Sequence, residues 1–192
     1  MSAYGIYLRS PVWRMKPQYA VLGQLAYSIE GSAAPGFVST DVAVSFGGTV
    51  TMTDLRASLP LHFLEKTFSL PGLAGDATVR FERLQFVGGL PVAADGFVEV
   101  VDLMIPVVHQ SSIGGYRADF FTQQDEVVAS VEDTDGIVDL AGSLRITADR
   151  NYRFLGRLGA KAETPDNMRQ QMRLLGSVDE RGQYELRLEG QF

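Results

Sequence analysis

Apolar and polar residues alternate with period two along most of this chain, in short runs separated by glycine pairs and Asp-containing turns. Successive side chains of a strand point to opposite faces, so this period commits a segment to a half-buried strand and does not suit an amphipathic helix. Tyr19, Val21, Leu25, Tyr27 and Ile29 share one parity, and Gln18, Gln24, Ser28 and Glu30 take the other. Gly31 to Gly36 supplies a turn. Val38, Thr40, Val42, Val44 and Phe46 then alternate against Ser39, Asp41 and Ser45, and Gly47-Gly48 closes the run as a tight hairpin. Within Thr49 to Leu59 the apolar parity passes from Val50 and Met52 to Leu55, Ala57 and Leu59 without a turn residue. That predicts a β-bulge near Asp54. A second switch, from Val79 and Phe81 to Leu84 and Phe86, falls near Arg83.

Further along, Gly88-Gly89-Leu90-Pro91 predicts a loop and Asp95-Gly96 a turn. The strand expected after them carries Phe97, Val101, Leu103 and Ile105 on one face and Val98, Val100 and Met104 on the other, as a central strand does. Tyr116 to Phe121, Val127 to Val131 and Ile137 to Thr147 follow, linked by polar turns at Gln123-Gln124-Asp125 and Asp133-Thr134-Asp135-Gly136. Leu61, Leu64 and Phe68 fit a single helical turn. Residues 10–17, bracketed by Pro11 and Pro17, belong to an irregular lead-in over residues 1–17 of one domain spanning 1–192.

The last forty residues hold two strands of one design, around Tyr152 to Gly156 and Tyr184 to Gly190, on either side of a helix. Thr164 is expected to cap that helix, Pro165 to take its first position and Asp166 to meet the positive end of its dipole. Met168, Met172 and Leu175 form its apolar stripe, and Gly176 suits a left-handed exit. In the closing strand Tyr184, Leu186, Leu188 and Phe192 are expected inward, against Glu185, Arg187, Glu189 and Gln191. About ten strands with almost no helix predict an all-β protein, a mainly antiparallel curved or two-lobed sheet with one short C-terminal amphipathic helix.

A net charge of −6 opposes nucleic acid, whose phosphates demand a basic stripe, and opposes docking by charge onto anionic lipid. The absence of cysteine removes disulfides and thiolate metal sites. No apolar run reaches the ~18 residues of a membrane-spanning helix, and Met1-Ser2-Ala3-Tyr4 does not open a signal peptide. Asp133-Thr134-Asp135-Gly136, with Glu132 and Asp139, has the hard ligands of a calcium loop but lacks the spacing and the terminal glutamate, so a turn is the simpler reading. His62 and His109 are far apart in sequence, with no local serine or carboxylate arrangement, and read as two surface or rim histidines. Gly47-Gly48, Gly88-Gly89 and Gly114-Gly115 read as turn glycines rather than phosphate cradles. Arg145, Arg153, Arg157 and Lys161 share a solvent parity, and cross-strand pairing with Asp139, Glu163 or Glu185 explains them better than a basic stripe. Trp13 reads as a core plug. No catalytic, cofactor-binding or metal-ligating residue emerges.

Four segments, in order, resemble the type II secretion system (general secretion pathway) protein N family. They are Leu22 to Glu30 (Leu-Gly-Gln-Leu-Ala-Tyr-Ser-Ile-Glu), Thr53 to Leu61 (Thr-Asp-Leu-Arg-Ala-Ser-Leu-Pro-Leu), Gly89 to Gly96 (Gly-Leu-Pro-Val-Ala-Ala-Asp-Gly), taken as a mid-domain loop, and Leu174-Leu175-Gly176 with Asp179, Gly182 and Tyr184. The resemblance implies the periplasmic β domain of a Gram-negative inner-membrane protein, with a membrane anchor upstream of Met1. It also implies a non-enzymatic accessory or assembly part of the secretion apparatus, without cofactors, whose partners are other components such as the inner-membrane platform or the secretin. The runner-up is a periplasmic lipid or apolar-ligand binder, which a trough of several hundred Å² lined by Val, Leu and Phe would favour; a filled core with an exposed edge strand would favour assembly. A hydrolase would need two carboxylates about 5–9 Å apart in a cleft.

Overall fold

The computed structural model describes residues 9–15, 24–32 and 35–191. Among these, eleven strands form one antiparallel sheet in which each strand pairs with its neighbours in sequence and the sheet does not close. The strands are β1 (Arg9–Met15), β2 (Gln24–Ser32), β3 (Phe37–Ser45), β4 (Thr49–Pro60), β5 (Ala74–Val87), β6 (Leu90–Met104), β7 (Tyr116–Gln123), β8 (Glu126–Asp133), β9 (Val138–Ile146), β10 (Asn151–Ala160) and β11 (Gln183–Gln191). A 3₁₀ turn (Leu61–Leu64) running into α1 (Glu65–Phe68) follows β4, and α2 (Asp166–Met172) with a 3₁₀ turn (Arg173–Leu175) separates β10 from β11.

Residues 9–15, expected within the irregular lead-in, instead form the edge strand β1. An edge strand tolerates Pro11 because one row of its backbone groups needs no ladder partner, and the register with β2 slips between Arg9 and Val12, around the proline. Tyr19 and Val21 and the side chains of Trp13, Phe68 and Phe192 lie outside the described residues.

Both predicted bulges are present. The β3–β4 register shifts between Ser39 and Asp41, opposite Asp54, whose φ is 51°. The buried hydroxyl of Thr40 donates to the Thr53 carbonyl there, 3.2 Å away. The β5–β6 register shifts between Phe81 and Arg83. A third irregularity leaves no mark in the alternation. Asp102 (φ 51°) flips the parity of β6, so Leu103 joins Val100 in an apolar cluster while Val101 stays 43% exposed.

The expected Asp95-Gly96 turn does not exist. β6 runs unbroken from Leu90, and the segment taken as a mid-domain loop supplies Leu90, Ala93 and Ala94, all buried. Gly96 is there for space: a Cβ on it would lie 2.1 Å from the Arg80 carbonyl oxygen across the ladder. Gln124 and Asp125, with φ of 52° and 63°, form a two-residue turn between β7 and β8 of the kind that matches strand twist.

The main core lies on one face of β5–β10, where Phe81, Leu90, Ala94, Val127 and Ile146 are buried together. The sheet curls around them, bringing the Arg150 guanidinium from the β9–β10 turn to within 2.8 Å of the Gly88 carbonyl in the β5–β6 turn. At the other end α2 inserts Met168 and Met172 among Ile113, Val138, Leu158 and Tyr184. Leu175, expected in that stripe, is 44% exposed, since the helix tightens into a 3₁₀ turn before reaching it. Gly176 has a positive φ of 128° with ψ −155°, an extended glycine conformation rather than the left-handed helical one. In β11, Tyr184 and Leu186 are only half-buried and Leu188 is half exposed, because nothing described covers this edge.

Candidate interaction surface

Two polar assemblies border β11. The first fixes α2 to the sheet. Thr164 does not cap the helix as expected. Its buried hydroxyl donates to the Ile137 carbonyl and accepts from the Lys161 backbone N–H at 2.7 Å, and Pro165 stands at the cap position without a side-chain bond. Arg169 donates back to the carbonyls of Thr164 (2.9 Å) and Lys161, and Lys161 forms an ion pair with Asp133. The other oxygen of Asp133 accepts from the Leu140 N–H at 2.8 Å. Thr164→Val is expected to destabilise by about 1–3 kcal/mol in chemical denaturation, because it strips a buried carbonyl of its donor, whereas Thr164→Ser should cost less.

Tyr116 abuts this assembly, donating to the Ile113 carbonyl at 3.3 Å. Burial first, then the charges of Asp133 and Asp135, push its pKa up from 10.0 to about 12. The folded state therefore keeps the phenolic proton after the unfolded state has lost it, so this contribution to stability is complete below pH 10 and is lost as pH rises to about 12. The stability of Tyr116→Phe, relative to the wild type, should rise across that window.

The second assembly is a charged row across one sheet face. Arg145 pairs with Glu126 at 2.7 Å, Arg153 with Glu189 at 2.8 Å, and Arg187 with Glu189 at 3.0 Å. Arg145 and Arg153 sit directly opposite each other, a like-charge contact flanked by Glu126 and Glu189. Hydrogen bonding from Arg187 foremost, with the charges of both arginines, lowers the Glu189 pKa. Cross-strand pairing thus accounts for Arg145 and Arg153, although with Glu126 and Glu189 instead of the expected acids, while Lys161, just past β10, pairs with Asp133 of the non-adjacent strand β8. Arg157 does face Glu185 in register. Elsewhere on the outer face, Arg117 holds Asp119 bidentately and lies 3.9 Å over the Phe97 ring.

The chemistry-bearing residues do not converge. His62 is exposed and its ring lies tilted against that of Phe63 (4.3 Å between centroids), while His109 lies beyond β6, and no hydrogen bond or ion pair joins them among the described residues. Asp139 accepts from Gln183 at 3.0 Å, and the described residues hold no group of three His, Asp or Glu placed to bind a metal. Glu126 and Glu189 border one open depression, but each carries its own arginine, and the lowered pKa of Glu189 is the wrong direction for a general acid.

The free edge of β11 is the surface that stands apart. It keeps nine consecutive residue pairs with β10 without a register slip, and the sheet ends there. Leu188 (50% exposed) on the strand, and Leu174 (86%) and Val178 (48%) before it, give this border apolar surface. Sequence alternation finds the strand but not its lack of cover, which depends on the order of the described strands in the sheet.

Comparison with known families gives a match to type II secretion system (T2SS), protein N, over residues 4–187. The chain belongs to that family. The match takes in the strands from β1 onward, α2 and more than half of β11, so the family relation rests on nearly the whole sheet, and it makes the chain a component of the secretion machinery. No curated protein and no solved structure matches the chain. The family implies a Gram-negative envelope system. No helix among the described residues is long and apolar enough to cross a membrane.

Proposed function

We propose that this is a non-enzymatic assembly domain of the type II secretion apparatus, acting in the periplasm through contacts with other components. The family match carries this reading, and the uninterrupted, uncovered edge of β11 supports it, since a free edge offers a row of backbone donors and acceptors to a partner strand. Exposed Glu185, Arg187 and Glu189 alternate along that edge and select the register and charge of what pairs with it. β1 is the poorer template, being shorter and interrupted at Pro11.

Affinity capture of the full-length, membrane-anchored protein from its own cell should recover platform or secretin components. Replacing His62 and His109 together by Asn should leave that recovery unchanged, because neither carries chemistry in this reading. Loss of a bound divalent ion, or of a hydrolytic activity, in the double variant would overturn the non-enzymatic assignment.

A further inference from the structure

Part of the inner face of β1–β5 is an apolar strip that lies largely outside the core clusters of the described residues. Met15, Tyr27, Val42, Met52 and Leu84 are successive register partners, one from each strand. Leu25, Val44, Val50 and Phe86 form a second such row beside it, from β2 to β5. Of these nine, only Leu84 packs against a core cluster of the described residues; Met15 is 63%, Leu25 47% and Val44 37% exposed. Among the described residues the strip is thus an apolar extension of the core that β6–β10 curl around, on the side where the sheet does not close.

Dimensions and chemistry select the occupant. Four inter-strand steps of ~4.8 Å make the first row about 19 Å long, and rows two residues apart are separated by ~7 Å. With side chains the strip covers on the order of 300 Å², well below the ~800 Å² per partner of a stable protein interface, which disfavours a second copy stacked on it. A peptide laid across it would bury amides against a face whose backbone bonds already run within the sheet; the Thr40 hydroxyl nearby is spent on Thr53. An acyl chain has no such groups, and its length in a bilayer, about half of the ~30 Å hydrocarbon core, reaches across most of the row. The strip itself holds no cation for a free carboxylate, so the headgroup belongs outside it.

We propose that the inner face of β1–β5 binds one acyl chain of a phospholipid, laid across the strands. This goes beyond the assembly role, which the capture of secretion components tests independently. The full chain is incubated with vesicles of 1-palmitoyl-2-oleoyl-phosphatidylcholine, re-isolated and weighed by native mass spectrometry. One lipid per chain is expected. Val42→Asp, at the centre of the strip, should cut retention at least tenfold, while Val101→Asp on the outer face should leave it unchanged. As a readout independent of that variant's folding, a fluorophore on Met52→Cys (the chain has no other thiol) should be quenched by nitroxide on the lipid chain. No retained lipid, equal retention by Val42→Asp, an unquenched probe, or a dimer in place of the lipid-bound monomer would each overturn the proposal.

Discussion

Gly96→Ala is expected to destabilise the protein by about 3 kcal/mol or more, beyond the range of an ordinary glycine replacement. The added Cβ would lie 2.1 Å from the Arg80 carbonyl oxygen and 2.5 Å from the Phe81 Cα. Both are backbone atoms, so no rotamer change relieves the contact. β5 and β6 would have to part at the bulge between Phe81 and Arg83, at the centre of the sheet. Gly48→Ala is the control: nothing lies within 4 Å of its Cβ position, although φ is +80°, and its cost should stay near ~1 kcal/mol. Urea midpoints at unchanged slope report the difference. Equal midpoints for the two variants would mean that β5 and β6 do not approach as described.

Phe81→Ala should cost about 3–5 kcal/mol. The side chain is 7% exposed, anchors the main core, and meets Phe120 with centroids 5.5 Å apart and rings tilted by 53°. Those two residues belong to β5 and β7, with Gly96 of β6 paired to each. A double-mutant cycle with Phe120→Ala should therefore give a coupling of roughly 0.5–1.5 kcal/mol. Zero coupling would place the two rings on separate faces.

Periodicity makes most of this sheet legible in the sequence. The bulges at Asp54 and Arg83 are readable because apolar residues flank both sides of the slip and no turn residue intervenes. The one at Asp102 is not, because Val100, Val101, Leu103 and Met104 are all apolar and either parity fits them. Asp95-Gly96 misleads for a different reason. The pair favours a turn locally, but here the glycine meets the need for space against Arg80, which only the paired strand reveals. Thr164 likewise has the chemistry of a helix cap, but its oxygen accepts from the Lys161 amide before the helix while its hydroxyl donates to the distant Ile137 carbonyl, a geometry that turns it away from the helix amides. The candidate surfaces are the least legible. Leu186, Leu188 and the strip across β1–β5 alternate as core residues do, and only the open ends of the sheet leave them uncovered.

The assembly role is tested most directly at Leu188. A photo-crosslinking amino acid placed there, in the full-length protein within its own cell, reports what lies against the β11 edge. A crosslink to another component of the secretion apparatus is expected, lost when Glu185 and Arg187 are reversed in charge, and none from the same probe at His62. A probe at Leu188 that captures nothing in secreting cells, while the protein remains folded and at its normal level, would contradict that role.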